Sequence, residues 1–558
     1  MPVESARAQF EEFEADTDQK LCALGLWQLP LRTAVSSLFL IVDSLFTGGR
    51  FTRENEVKPK EGAALLSYIS YLVRFFTTCP LEIGSDIDDA LGVIEEKHQE
   101  ELRTAIVYGH FSQLMPEVWR QYYEIDVVRN GFRLSHPSQE FTRAEERDII
   151  SSEFTLAFDV DRRNYPREIL DRAIQAWPYL DGLEFSKMLA DGVNHYLTTM
   201  REQALLPDDA YEDAVGFGRD HFHLVRAALM AIADFCLGMA DAAEIRSMDE
   251  PERFARECRE WAVPLLTESF MLGTIQGLTE VPAKIIDKII APFVMDATER
   301  DFQNAGDGYL PPLIRISESF LFSPYAIKFM MPERNILYVL NKRDRTRFDR
   351  SVSSHLEPEL LRQACEILGR IPGLLIERNV LWTEGEIDIL AFQPVSNTIL
   401  HLQAKAAVPP QGARMTRQVE TSTLTAIQQL SALEQRPAEY RDQLCARTFR
   451  REIEDPKWVS VVLSRSSFGT WRAWSGLGSY TPLNIPLLRA TVEAILTEPN
   501  QSIAGLSDVA RELLDKIVVG TVRGWIRKPL VLLGTSIDTP LLDIDQEAVW
   551  KLQHELWR

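Results

Sequence analysis

The chain is expected to be multidomain: a large, mostly α-helical N-terminal region joined to an α/β domain in which helices flank a mixed central sheet. Three observations predict this. At 558 residues the chain exceeds what one hydrophobic core serves, so roughly two to four domains are expected. Apolar residues recur at helical spacing through the first 300 positions. In two short runs, Gly385–Leu390 and Leu400–Lys405, the period changes to two.

Residues 1–300 form the helical region, with helices predicted over 65–76, 183–197, 222–237 and 261–271. Thr78-Cys79-Pro80 and Leu206-Pro207-Asp208 punctuate them. No fixed-period repeat runs through this region, which disfavours a solenoid. The longest apolar run, 34–46, is interrupted by Asp43 and is too short to span a bilayer, so a buried helix and no membrane partner are expected. Residues 301–350 are a connecting segment. Gly306-Asp307-Gly308 and Leu310-Pro311-Pro312 mark a boundary, 335–340 reads as a strand or apolar linker, and 341–350 is charged. The α/β domain spans 351–480 and includes a strand over 458–464. A C-terminal α/β extension, 481–558, carries a helix at 486–496 and a strand at Pro529-Leu530-Val531-Leu532-Leu533-Gly534.

A hydrophobic content of 45% with 25% charged residues is that of an ordinary folded protein. The net charge of −22 argues against a protein that coats nucleic acid nonspecifically, because such binding needs a broad basic surface. It leaves room for local basic clusters: Lys342, Arg343, Arg345 and Arg347; Arg414 and Arg417; Arg447, Arg450 and Arg451. Each is interrupted by acids or sits at an element end, so each also reads as a solvated face. The six cysteines are widely spaced with no CxxC, and Met1-Pro2-Val3-Glu4-Ser5 lacks the basic and apolar parts of a signal peptide. A cytoplasmic location is expected.

The chemistry concentrates in a hairpin, Gly385-Glu386-Ile387-Asp388-Ile389-Leu390 followed by Leu400-His401-Leu402-Gln403-Ala404-Lys405. Strand alternation places Glu386 and Asp388 on one face, with Ile387 and Ile389 opposite. Gln403 and Lys405 likewise share a face, with Leu402 and Ala404 opposite. Paired across Gln393-Pro394-Val395-Ser396-Asn397, the two polar pairs converge. Asp388 is a hard oxygen ligand suited to Mg²⁺, Gln403 offers a carbonyl oxygen, and Lys405 supplies a positive charge beside a water. An acidic pair between isoleucines is also a common solvated strand face. The Gln-x-Lys at fifteen residues' distance from Asp388 is what favours a site.

This stretch resembles the PD-(D/E)XK nuclease superfamily, whose core is the restriction-endonuclease-like fold; the matching pieces, a helix over 356–370, strands over 374–382, 386–392 and 398–406 and a helix around 417–433, cover about a quarter of the chain. The resemblance implies Asp388 as central metal ligand, Gln403 in the place usually held by Asp or Glu, the Ala404 carbonyl as a further ligand and Lys405 as the catalytic lysine. Gln-x-Lys for Glu-x-Lys is a departure shared with Mrr-like endonucleases, and it removes one negative charge. A helix glutamate is also implied. Ser354-His355-Leu356-Glu357 reads as a capping box, which assigns Glu357 to the helix start and leaves Glu359 preferred, with Glu366 auxiliary and Glu386 competing. Gln428, in Gln428-Gln429-Leu430, is a further auxiliary position, and Arg414 and Arg417 are candidate nucleic-acid contacts. The implied activity is Mg²⁺- or Mn²⁺-dependent phosphodiester hydrolysis, of DNA rather than RNA because the Gln-x-Lys relatives act mainly on DNA. Bacterial defence or DNA repair is the implied setting. The alternative is a degenerate nuclease fold that binds nucleic acid or protein without cutting. A homo-oligomer is compatible with either, although no heptad seam points to an interface.

Two features of the helical region invite a ligand reading. His221 and His223 are alternate residues on a helix and so do not face each other. Asp86, Asp88 and Asp89 lack the register of a calcium loop and read as an acidic helix start.

Overall fold

The computed structural model describes residues 3–47, 50, 66–81, 98–153, 167–176, 182–199, 205–247, 250–296, 310–330, 332–408 and 413–557. Helices dominate, with three sheets among them. In chain order the strands are β1 (Glu124–Val128), β2 (Gly131–Ser135), β3 (Leu265–Thr267), β4 (Val294–Asp296), β5 (Leu313–Ile316), β6 (Ser319–Phe322) and β7 (Leu375–Trp382). They continue with β8 (Gly385–Gln393), β9 (Thr398–Lys405), β10 (Lys457–Ser464), β11 (Thr481–Leu483), β12 (Val522–Leu532) and β13 (Thr535–Ile544).

The helical half is organised by Arg219–Arg246, in which every residue from Val225 to Ala240 is buried. A helix apolar on all sides belongs inside a core, and helices Arg167–Ala176, Gly182–Thr199 and Pro251–Ala262 pack around it. By length and composition it could cross a membrane, yet 89% of its apolar window is buried inside the fold. Its Asp234 is fully buried and pairs with an equally buried Lys328, and Tyr196 donates to the same carboxylate. The run 261–271 is not one helix. Pro264 ends Pro251–Ala262, β3 intervenes and Glu268–Thr279 begins afresh, capped by the Thr267 hydroxyl. Residues 335–340 are neither strand nor linker: they lie in helix Pro332–Arg343, with Ile336, Leu337 and Val339 buried.

The central sheet has the order β11-β10-β9-β8-β7. β9, β10 and β11 run parallel, while β7–β8 and β8–β9 are antiparallel, so the sheet is mixed. One face is covered by helices Ser354–Leu368, Ile485–Thr497 and Leu506–Thr521, through Leu360, Leu488 and Leu506 against Leu400, Leu402 and Val461. On the other, Ala413–Glu434 and Ala438–Phe449 set Leu433, Leu444 and Cys445 on Leu390 and Ile399.

The remaining strands form the sheets β3-β6-β5-β4 and β1-β2-β13-β12. In the latter, β13 pairs in parallel with β2, Ile537 opposite Phe132, so strands far apart in the sequence share one sheet. Its hairpin turns at Leu533-Gly534, both with positive φ (51° and 82°), the two-residue geometry that matches strand twist. Helix Gln139–Glu153 ties the N-terminal half to the central sheet. Asp148 Oδ1 accepts from the N–H groups of Phe468 (2.8 Å) and Gly469 (3.0 Å) and from Trp474 Nε1 (2.9 Å), beyond the end of β10.

Candidate functional site

The β8–β9 turn fixes the register. Pro394–Ser396 makes one 3-10 turn, and Asn397 takes the left-handed conformation (φ 45°) that asparagine tolerates, setting Gln393 opposite Thr398. Pairing then runs to Ile389 opposite Leu402 and stops. On the other side, β7 pairs with β8 along its length but skips Asn379 and Asp388, and Asn379 has φ 55°. Both neighbours therefore release β8 at Asp388. This breaks the alternation expected from sequence. Ile389 packs with Ala391, Leu400 and Ala404 on one face, but Ile387 packs with Leu390 and Phe392 on the other. The irregular residue pair absorbs a reversal of the pleat, as a bulge does.

Asp388 fills the opening with its own side chain: Oδ2 accepts the Ala404 N–H at 2.6 Å. Burial pushes its carboxyl up to about 6; the Ala404 N–H and the Lys405 charge oppose this, and Glu357 and Glu386 add to it. Gln403 is 1% exposed. Its Nε2 donates to the Glu386 carbonyl at 2.9 Å, which leaves Oε1 buried with no hydrogen-bond partner among the described residues. At the strand end, Lys405 Nζ lies 3.7 Å from Glu357 Oε2. Glu386 itself is exposed.

The expected capping box is not formed. A π-helical turn, Asp349–Ser353, runs straight into helix Ser354–Leu368, and Ser354 Oγ donates to the Arg350 carbonyl. With no start to cap, Glu357 reaches Lys405 instead. Glu359 is buried and held by Arg362 (2.7 and 2.8 Å) and Gln363 (2.8 Å). Burial raises its pKa, but these bonds outweigh burial and hold the carboxyl below its ordinary value. Glu366 is exposed and also bonds Arg362. Of the three helix glutamates, Glu357 is thus the one paired with Lys405. Arg465, buried just beyond β10, steadies this helix by donating Nη2 to the Leu356 carbonyl at 2.8 Å. Burial pulls its pKa down to about 10, against the opposing charges of Glu333 and Glu359.

The auxiliary positions separate. Gln428 is exposed, whereas the neighbouring Gln429 carries a buried Oε1 with no hydrogen-bond partner among the described residues. Arg417 is exposed near the start of helix Ala413–Glu434, and the Arg414 side chain lies outside the described residues. Arg345 is engaged by Asp349 and Asn341, and Arg347 by the Asp213 carbonyl. Asp86, Asp88, Asp89 and Gly306-Asp307-Gly308 also lie outside the described residues. Sequence reasoning passed over His401, a single polar residue in an apolar run, and Arg465 and Asp148, which sit among other polar residues; none has a spacing to betray it. His401 is fully buried, with neither ring nitrogen hydrogen-bonded among the described residues, and burial pulls its pKa down to about 3.

Among the described residues, no group of three or more His, Cys, Asp or Glu side chains gathers as a metal site. The Asp388 and Glu357 carboxylates lie beside Lys405, and Gln403, two positions before Lys405 on β9, carries the orphaned Oε1. A hard divalent cation accepts carboxylate, amide and backbone oxygens together, so a buried amide oxygen lacking a partner suits such an ion. No family model, curated protein or solved structure matches this chain.

Proposed function

We propose that the chain is a metal-dependent phosphodiesterase of the restriction-endonuclease-like type acting on nucleic acid, DNA being the expected substrate, with its site at the opening beside Asp388. The observation that carries this reading is the meeting of Asp388, Ala404, Lys405 and Glu357 where the antiparallel pairing of β8 and β9 ends. A site opened between two strands of a rigid sheet holds its groups by backbone geometry rather than by side-chain chance.

Asp388, Glu357, Gln403 Oε1 and the Ala404 carbonyl would hold Mg²⁺ or Mn²⁺. When bound, such an ion acidifies a coordinated water and offsets charge building on the phosphate. The rest belongs to the chain. The Ala404 N–H fixes the Asp388 carboxylate, and the Glu386 carbonyl fixes the Gln403 amide so that its oxygen stays available. Lys405 holds the attacking water and favours its hydroxide form through its charge. Glu357 holds that ammonium group in place.

The test is cleavage of linear, circular and single-stranded DNA and of RNA by purified protein with Mg²⁺, Mn²⁺ or EDTA, beside folded Asp388→Asn and Lys405→Ala variants. Metal-dependent cutting that falls at least about a hundredfold in both supports the proposal, the size usual for loss of one group acting on the transition state. Nucleic-acid binding without cutting under any metal would move the protein to the scaffold reading, which the neutral Gln403 favours.

A further inference from the structure

Away from this sheet, helices Gly182–Thr199, Arg219–Arg246, Pro251–Ala262 and Glu268–Thr279 line a half-open cavity of about 440 Å³. Its wall is almost wholly apolar. Phe185 meets Phe235 edge-on at 5.0 Å between ring centroids, and Phe235 meets Trp261 edge-on at 5.5 Å, giving a continuous aromatic side. Ile232, Met239 and Met271 supply the aliphatic side. The cavity lies within the range of small-molecule sites.

We infer that the cavity binds a neutral, ring-bearing small molecule with one hydrogen-bond acceptor. Size sets the first limit. The volume is about three times that of the ~150 Å³ cavity that takes up benzene, which suits two or three rings. Charge sets the second, because none of the lining residues is ionised at neutral pH and an ionised ligand would be buried unpaired. The acceptor follows from two lining groups that make no hydrogen bond to the described residues, the Thr274 hydroxyl and the Trp261 indole N–H. The open side is marked by Phe270, a lining residue that is 50% exposed. Gly182 stands there too, and a side chain built on it meets nothing within 4 Å.

That glycine supplies a clean test, since Gly182→Phe puts a ring into empty space rather than into packed atoms. The whole chain is titrated with N-phenyl-1-naphthylamine, a neutral two-ring fluorophore, with no nucleic acid present, so the outcome is independent of the proposed nuclease activity. Saturable binding of one probe per chain, weakened at least tenfold by Gly182→Phe, is expected. Ile232→Phe, which fills the cavity floor, should weaken it similarly. Hydrogen exchange supplies a readout on the unmutated protein: probe should slow exchange in Gly182–Thr199 and Arg219–Arg246. Non-saturating fluorescence, binding unchanged in a folded Gly182→Phe protein, or protection that falls elsewhere would overturn the inference.

Discussion

Replacing Asp388 by asparagine should make the protein more stable, and the size follows from the strand opening. In the folded chain, burial lifts the carboxyl from its ordinary value of 3.8 to about 6. A difference of about two units corresponds to roughly 3 kcal/mol, at 1.36 kcal/mol per unit. The sign is unfavourable to folding. Well below its ordinary value of 3.8 the group is protonated in both states and contributes nothing. As pH rises towards 6 the unfolded chain ionises first, and above 6 the folded state carries the full penalty. The substituted amide would retain an oxygen for the Ala404 N–H while removing the charge. Urea melts of the two proteins in EDTA should therefore separate by up to about 3 kcal/mol at pH 8 and converge at pH 3.5. Mg²⁺ should narrow the gap at pH 8 by stabilising the parent protein alone. An Asp388→Asn protein less stable than its parent at pH 8 would refute the reasoning, because the carboxylate would then be a structural ion rather than one held at a cost for function.

Four further substitutions probe other levels of the structure. Lys328→Met leaves Asp234 charged and buried and should cost about 3–5 kcal/mol in urea melts, with most of it regained when Asp234→Leu is added; a single variant within 1 kcal/mol of the parent would contradict the buried pair. Glu357→Gln should reduce metal-dependent cleavage at least about tenfold with little change in stability. Glu359→Gln should do the reverse, losing stability through Arg362, and equal behaviour of the two would undo the assignment of Glu357. Gly469→Ala forces a side chain at φ 109° to within 2.6 Å of Glu420 Cα, so at least about 2 kcal/mol of stability should be lost; a neutral result in thermal melts would deny that close approach.

The central sheet was legible because its signals are local. The period of two in Gly385–Leu390 and Leu400–Lys405, the Pro394 and Asn397 turn residues and the apolar spacing of helix Ser354–Leu368 place each of those elements within two residues or so of where it lies, save for the earlier start of the helix after β9. What failed needed non-local information. Glu357 has the spacing of a capping residue, and only the preceding π-turn removes the helix start it would cap. Ile387 and Ile389 look equivalent in sequence, and the face reversal between them depends on Asn379, a residue of the neighbouring strand. Arg465 and Asp148 act on elements more than a hundred positions away, where no periodicity reaches.

The parallel pairing of β2 with β13 has a consequence for how the protein is made. Gly131 must wait for Ser536, about 400 residues later in synthesis. At the ribosome's pace of about 5–20 residues per second, that is roughly 20–80 s. Throughout, β2 presents an edge with vacant backbone donors and acceptors, the kind of surface that recruits strands from other chains. The newborn protein therefore has a vulnerable interval set by the distance along the chain between these two strands. The late-made β12–β13 hairpin acts as the latch that closes it.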